Sequence, residues 1–176
     1  MIKLKYGCNP HQEKASLGFD DKPEPFEILN GQMGYINALD ALTAWQLVKD
    51  VKAETGLACA ASFKHVNPAG VAVCLDGDKN SAEFEGLSEI AIAYQKARNC
   101  DPVASYGDAV ALSDKVDLSM AETIYKQVSD LIIAPEFDDD ALALLKKKKK
   151  GNYLLIKIDP SYEAPDTETR EIFGIN

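Results

Sequence analysis

The sequence predicts an α/β layered fold, a mixed and mostly parallel sheet flanked by helices. Three observations predict it. Short apolar runs of strand length recur at residues 57–61, 71–75, 109–112, 131–134 and 153–158. Amphipathic stretches of helix length fall between them at 87–98, 118–128 and 138–145, after a first one at 37–55. Glycine, proline and asparagine punctuate the boundaries, and strands alternating with helices at these lengths build parallel-rich sheets. No repeat and no linker divides the chain, so residues 1–176 read as one lobe. An arm spans residues 1–24, an α/β core 25–158 and a tail 159–176.

Residues 4–12 form a polar loop, broken by Gly7 and Asn9-Pro10. Lys5, Tyr6, Asn9, His11 and Gln12 in it either face water or reach a ligand. Residues 20–25 read as a charged turn, and 26–29 as a short strand closed by Asn30-Gly31. In the helix at 37–55, Leu39, Leu42, Trp45, Val48 and Val51 recur at intervals of three, with Ala41 and Leu47 widening the stripe. Asp40, Lys49 and Lys52 lie off that stripe, and Trp45 reads as core. Asn37 suits the N-cap, because its carboxamide accepts from a first-turn amide, and Gly56 supplies the stop.

The strand opening at residue 57 leads to Lys64 and His65, and Asn67-Pro68-Ala69-Gly70 beyond them supplies turn chemistry. A strand end in an α/β sheet is where ligands bind. On spacing alone the pair reads as a solvated strand end before it reads as a site. Residues 76–81 form a polar turn, and Leu87, Ile90, Ala91, Tyr94 and Ala97 share one side of the next helix. Residues 99–108 are a loop of small, hydrogen-bonding side chains. Ala121, Ile124, Tyr125 and Val128 stripe the third helix, and Pro135 closes the strand after it. The helix at 138–145 opens on Asp138, Asp139 and Asp140 and ends in lysines, matching its dipole at both ends, with Gly151 as its stop. Beyond residue 160 the periodicity is lost. Ile172, Phe173 and Ile175 read either as a frayed terminus or as a tail that packs onto something.

A chain of 176 residues can bury a sizeable core. Its net charge of −9 argues against general nucleic-acid binding, which needs a broad basic face. A local anion site remains open, and the five lysines at 146–150 are its obvious candidate; on composition alone they are a solvated helix end. Cys59 and Cys74 lie in apolar runs and read as core, and four scattered cysteines with two histidines form no metal pattern. The short, charged start carries no signal sequence or membrane span, which points to the cytoplasm.

Six stretches together resemble one family. They are residues 4–12 (Leu-Lys-Tyr-Gly-Cys-Asn-Pro-His-Gln), 29–31 with 35–42 (Leu-Asn-Gly; Tyr-Ile-Asn-Ala-Leu-Asp-Ala-Leu), and 61–70 (Ala-Ser-Phe-Lys-His-Val-Asn-Pro-Ala-Gly). The others are 105–114 (Ser-Tyr-Gly-Asp-Ala-Val-Ala-Leu-Ser-Asp), 128–130 with 133–135 (Val-Ser-Asp; Ile-Ala-Pro), and 146–153 (five lysines, then Gly-Asn-Tyr). In order and spacing they look like the AICAR transformylase domain of the bifunctional purine biosynthesis protein. The resemblance implies a three-layer, cytidine-deaminase-like lobe, the first of two related lobes. It implies formyl transfer from 10-formyltetrahydrofolate, as co-substrate, to the 5-amino group of AICAR, without a metal. The second lobe and the cyclohydrolase domain are not covered, so the expected partner is a second copy or a chain carrying the other lobe.

Carried over residue by residue, His65 matches the family's general base and Lys64 the neighbouring cation that stabilises the oxyanion or assists the leaving nitrogen. A histidine titrates near neutrality and can take that proton. Lys5 and Tyr6 match an arginine-tyrosine pair that holds the nucleotide, and lysine lacks arginine's bidentate fork. Asn37 matches a nucleotide ligand, in competition with its reading as an N-cap. Gly107 and Asp130 match positions that line the nucleotide pocket, Tyr106 matches a pocket phenylalanine on the folate side, and Lys149 matches a lysine on the AICAR phosphate. Leu131 and Glu136 stand where the family favours glycine. Two readings follow: half of a transformylase, or a nucleotide-binding module without turnover.

Overall fold

Each strand of the central sheet sends alternate residues to opposite faces, and both faces are covered. In the computed structural model, which describes residues 1–9, 11–19 and 23–165, the strands are β1 (Ile2–Lys3), β2 (Ser16–Leu17), β3 (Phe26–Asn30), β4 (Cys59–Lys64), β5 (Asn67–Val73), β6 (Asp108–Leu112), β7 (Ser129–Ala134) and β8 (Leu154–Ile158). The helices are α1 (Tyr35–Thr55), α2 (Glu89–Asn99), α3 (Leu118–Tyr125) and α4 (Asp139–Leu145). Along β6, Ala109 and Ala111 join the core under α1, whereas Val110 and Leu112 join the core under the other helices. Leu131 and Ile133 of β7 alternate with Ile132 and Ala134 in the same way. The period of two thus places one layer on each side of the sheet.

The six main strands lie in the order β3-β8-β7-β6-β4-β5. β8, β7 and β6 pair in parallel, and β3, β4 and β5 each join through an antiparallel pairing. Four strands therefore run one way and two the other, the mixed, mostly parallel sheet that the alternation predicts. β1 and β2 form a separate two-stranded sheet in the arm. No helix among the described residues is long and apolar enough to cross a membrane.

Most elements fall where the sequence places them, and the differences have physical causes. α1 begins at Tyr35 with Gly34 as its N-cap, so Asn37 occupies the third helical position rather than the cap. Gly56 closes the helix in the left-handed conformation (φ 70°), and Trp45 is core. Asp40, placed off the apolar stripe by its charge, is 7% exposed. Asn67-Pro68-Ala69-Gly70 is no turn: these residues belong to β5, and the chain reverses at His65-Val66. Pro68 is tolerated because β5 is an edge strand, where a missing ladder donor faces outward. Gly70 serves close packing, since a Cβ there would stand 2.1 Å from Ala97 O of α2.

The lysine run does start at the C-cap of α4, Lys146, but it is not a uniformly solvated helix end. α4 stops at Leu145, and a tight turn follows over Lys148–Gly151, with Lys149 and Lys150 at φ 51° and 55°. Lys148 is buried: its Nζ donates to the carbonyls of Tyr125 and Gln127 and lies 5.4 Å from the Tyr153 ring centroid. Burial pushes its ammonium pKa down, with Lys149 adding to the effect. The expected packing of Ile172, Phe173 and Ile175 lies outside the described residues, as does part of the 20–25 turn.

Candidate active site

Lys64 is the last residue of β4, which runs antiparallel to β6. The site therefore sits over the amino ends of β6 and β7, although Lys64 itself closes the carboxyl end of its own strand. Lys64 Nζ donates to Gly107 O at 2.7 Å. Gly107, at φ 75°, keeps that place open, because a Cβ there would stand 2.9 Å from the Lys64 ammonium.

Asp130 arrives through a β-bulge. Asp108 pairs with Ser129 and Ala109 with Leu131, which leaves Asp130 as the extra residue of β7. A bulge re-aims a side chain out of the ladder's alternation, and Asp130 turns to an ion pair with Lys149. Leu131, where glycine was the family's preference, is fully buried in the core.

The arm reaches the site by backbone pairing. The Lys5 amide donates to Met33 O at 2.8 Å, and the Tyr35 amide to Tyr6 O at 3.2 Å, so both arm residues are clamped beside the start of α1. Gly34 makes room for the phenol: a Cβ there would lie 2.6 Å from Tyr6 Cζ. Asn37 Oδ1 accepts from the Gly34 amide at 3.0 Å. The carboxamide nitrogen is not used in that bond, so the side chain can brace the helix and still offer a donor to a ligand.

These residues surround two adjoining cavities. One, of about 280 Å3, is lined by Tyr6, Cys8, Ile36, Asn37, Asp40, Lys64, His65, Gly107, Ala109 and Asp130. The other, of about 180 Å3, is lined by Lys5, Tyr6, Gln32, Asn37, Asp130, Lys149, Asn152 and Leu154. Eight of the nine positions singled out in the sequence meet here. Tyr106 stands apart, 66% exposed on the loop before β6. Lys5 and Lys149 bring two ammonium groups to one end, where Asp130 pairs with Lys149, and Lys64 and His65 stand at the other.

Two groups escaped the sequence reading. Asp40 lines the larger cavity, and its Oδ1 accepts from the Val66 amide at 2.6 Å. Burial pushes its carboxyl pKa up, against the Val66 bond and the charges of His65 and Lys64, while Asp130 adds to the rise. Its place inside the matched 35–42 stretch was the available signal. The second group is a buried network behind the site. Arg98 reaches Asp108 at 2.9 Å, Ser62 Oγ donates to the same carboxylate at 2.8 Å, and Arg98 also donates to Ser105 O at 2.7 Å. Burial pushes the Asp108 carboxyl up, opposed first by Arg98 and then by Ser62. Ser129 Oγ donates to Asp108 O and shares a hydrogen bond with the Tyr153 phenol. The network fixes the loop that carries Gly107, and so the carbonyl that receives Lys64.

Fold and site together define an α/β lobe with a polar, lysine-flanked cavity closed by a lysine-histidine turn. The chain belongs to the AICARFT/IMPCHase bienzyme family, whose model matches residues 1–175. It is 38% identical to the bifunctional purine biosynthesis protein PurH of Lactobacillus delbrueckii subsp. bulgaricus, over 97% of this chain and 31% of that protein. It is 39% identical to PurH of Clostridium perfringens (strain SM101 / Type A), over 89% of this chain and 29% of that one. The chain thus spans about three tenths of the length of these relatives.

Proposed function

We propose that this chain is the first lobe of an AICAR transformylase acting in purine biosynthesis, with 10-formyltetrahydrofolate as formyl donor. The observation that carries the reading is the meeting of Lys64 and His65 with Lys5, Asn37 and Lys149 around joined cavities. Binding alone needs no base beside the ligand, whereas formyl transfer does. The AICAR phosphate lies toward Lys5 and Lys149, displacing Asp130 from its ion pair. The 5-amino nitrogen attacks the formyl carbon, forming a C–N bond, and His65 takes the amine proton. Lys64 stabilises the oxyanion of the tetrahedral intermediate. Its collapse breaks the bond to the folate nitrogen, which leaves with a proton as tetrahydrofolate. A second lobe, which these residues do not cover, completes the folate side, from further along a longer chain or from a partner. Exposed Val103, Tyr106, Tyr125 and Val128 supply apolar surface for such a contact.

The test is formyl transfer followed by tetrahydrofolate release, with the chain alone and with a second lobe supplied. The pair should be active and the chain alone nearly inert. His65→Ala should lower turnover roughly 10²–10⁴-fold, and Lys64→Ala roughly 10²-fold. Lys149→Ala should act mainly on AICAR affinity. An active pair in which His65→Ala keeps the wild-type rate would remove the base; AICAR binding without turnover in the pair would favour the binding module.

A further inference from the structure

The turn that carries His65 is built from residues poorly suited to it. His65 and Val66 both have positive φ, 53° and 62°, and they form the two-residue connection between β4 and β5. A two-residue hairpin turn with both central residues left-handed favours asparagine followed by glycine. A β-branched valine at positive φ is a genuine outlier, and such a conformation persists only where its surroundings over-determine it. Strand pairing supplies part of the constraint through Lys64 opposite Asn67, and Asn67 Nδ2 donates to His65 O at 2.9 Å.

The rest comes from another element. Asp40, in the second turn of α1, is a nearly buried carboxylate. Its Oδ1 accepts from the Val66 amide at 2.6 Å, a charge-assisted bond that spans 26 residues of chain. The charged groups that face it are His65 and Lys64 from the turn and Asp130 from β7. Among the described residues the Val66 amide is the one hydrogen-bond donor to this carboxylate, and so little compensation makes its burial costly to keep for helix stability alone.

We propose that Asp40 is a positioning residue: by holding the Val66 amide it keeps the turn left-handed and so presents Lys64 and His65 together to the cavity. Only its effect on turnover rests on the reading of that pair as the reacting groups.

The test follows the turn directly, by NMR of the 176-residue chain as wild type, Asp40→Asn, Asp40→Ala, Val66→Gly and the Asp40→Ala/Val66→Gly double variant. The readouts are hydrogen exchange of the residue 66 amide and the backbone carbon shifts of residues 65 and 66. Asp40→Asn should resemble wild type, because the carboxamide oxygen takes the same bond. Asp40→Ala should speed exchange at residue 66 by roughly 10–100-fold, the worth of a hydrogen bond to a charged group. It should also move both residues' shifts away from left-handed values. In the double variant the His65 shifts should return, since glycine holds positive φ without a steric penalty. With a second lobe supplied, Asp40→Ala should lower kcat roughly 10²-fold with little change in KM, and the added Val66→Gly should restore it.

Wild-type exchange and shifts in Asp40→Ala would overturn the proposal. So would an Asp40→Asn turn as disturbed as that of Asp40→Ala, or a double variant whose His65 shifts stay displaced. If Asp40→Ala fails to fold, Asp40→Asn and Val66→Gly decide: both must keep the left-handed His65 signature. Should the spectra respond as stated while no protein, wild type included, transfers formyl, the transformylase reading falls and the positioning role stands.

Discussion

Gly107 and Asp40 show how single residues set the site from beneath the reacting groups. Gly107 holds a left-handed φ of 75° and leaves space for the Lys64 ammonium. Gly107→Ala should destabilise the fold by roughly 1–2 kcal/mol for the left-handed backbone, read by urea unfolding, and push Lys64 off the carbonyl it now holds. Turnover should then fall as it does in Lys64→Ala. Asp40 gives a pH signature. Burial raises its carboxyl pKa, so between the ordinary aspartate value and the raised one the native state binds more protons than the unfolded state. Its contribution to stability is therefore full below that window and is lost as pH climbs through it. Urea unfolding across the acid range should show wild type losing stability relative to Asp40→Asn as pH rises. A difference that stays flat would mean that this carboxyl titrates alike in both states. The sequence hid Asp40 because a helical wheel sorts residues by polarity, and a carboxylate buried to serve a neighbouring turn violates that sorting.

At the scale of elements the strands and helices were largely legible, because period and punctuation agree along the central strands and the flanking helices. The β4–β5 connection was not. Asn67-Pro68-Ala69-Gly70 has a turn's composition, yet hairpin pairing to β4, the bulge at Ala69 and the packing of Gly70 on α2 hold it in an edge strand. His65-Val66, with almost no turn propensity, makes the reversal. Tertiary contacts decide here, and local propensity loses. The lysine run fails for another reason: nothing distinguishes buried Lys148 from its four identical neighbours. Gly70 tests the reassignment. A methyl group there meets Ala97 O at 2.1 Å and Cys100 Cβ at 2.6 Å, both on or beside α2. Gly70→Ala should force β5 and α2 apart and lower stability by roughly 1–3 kcal/mol, the usual penalty of overpacking. A turn glycine at negative φ would accept the same change almost freely.

Across the whole molecule, the Arg98–Asp108 pair joins α2 to β6 and, through Ser62 and Ser129, to β4 and β7. Arg98→Met should lower stability by roughly 3–5 kcal/mol, because it strands a buried carboxylate; Arg98→Met with Asp108→Asn should recover part of that loss. Urea unfolding of both variants checks it, and equal stabilities would show that the charge carries no penalty. The sheet order has a bearing on how the chain folds as it is made. β3 is laid down before α1, yet among the described residues its one sheet partner is β8, the last strand described, whose residues pair with it as Phe26 to Ile158 and Ile28 to Ile156. The β4–β5 hairpin and the β6–β7 unit can form as soon as they emerge, since their partners are near in sequence. β3 instead waits with an unpaired edge and the apolar side chains of Phe26 and Ile28 until residue 158 has been added. A nascent chain stalled between those points offers an open strand to its neighbours, and on a crowded ribosome that interval is when this protein is most exposed to mispairing.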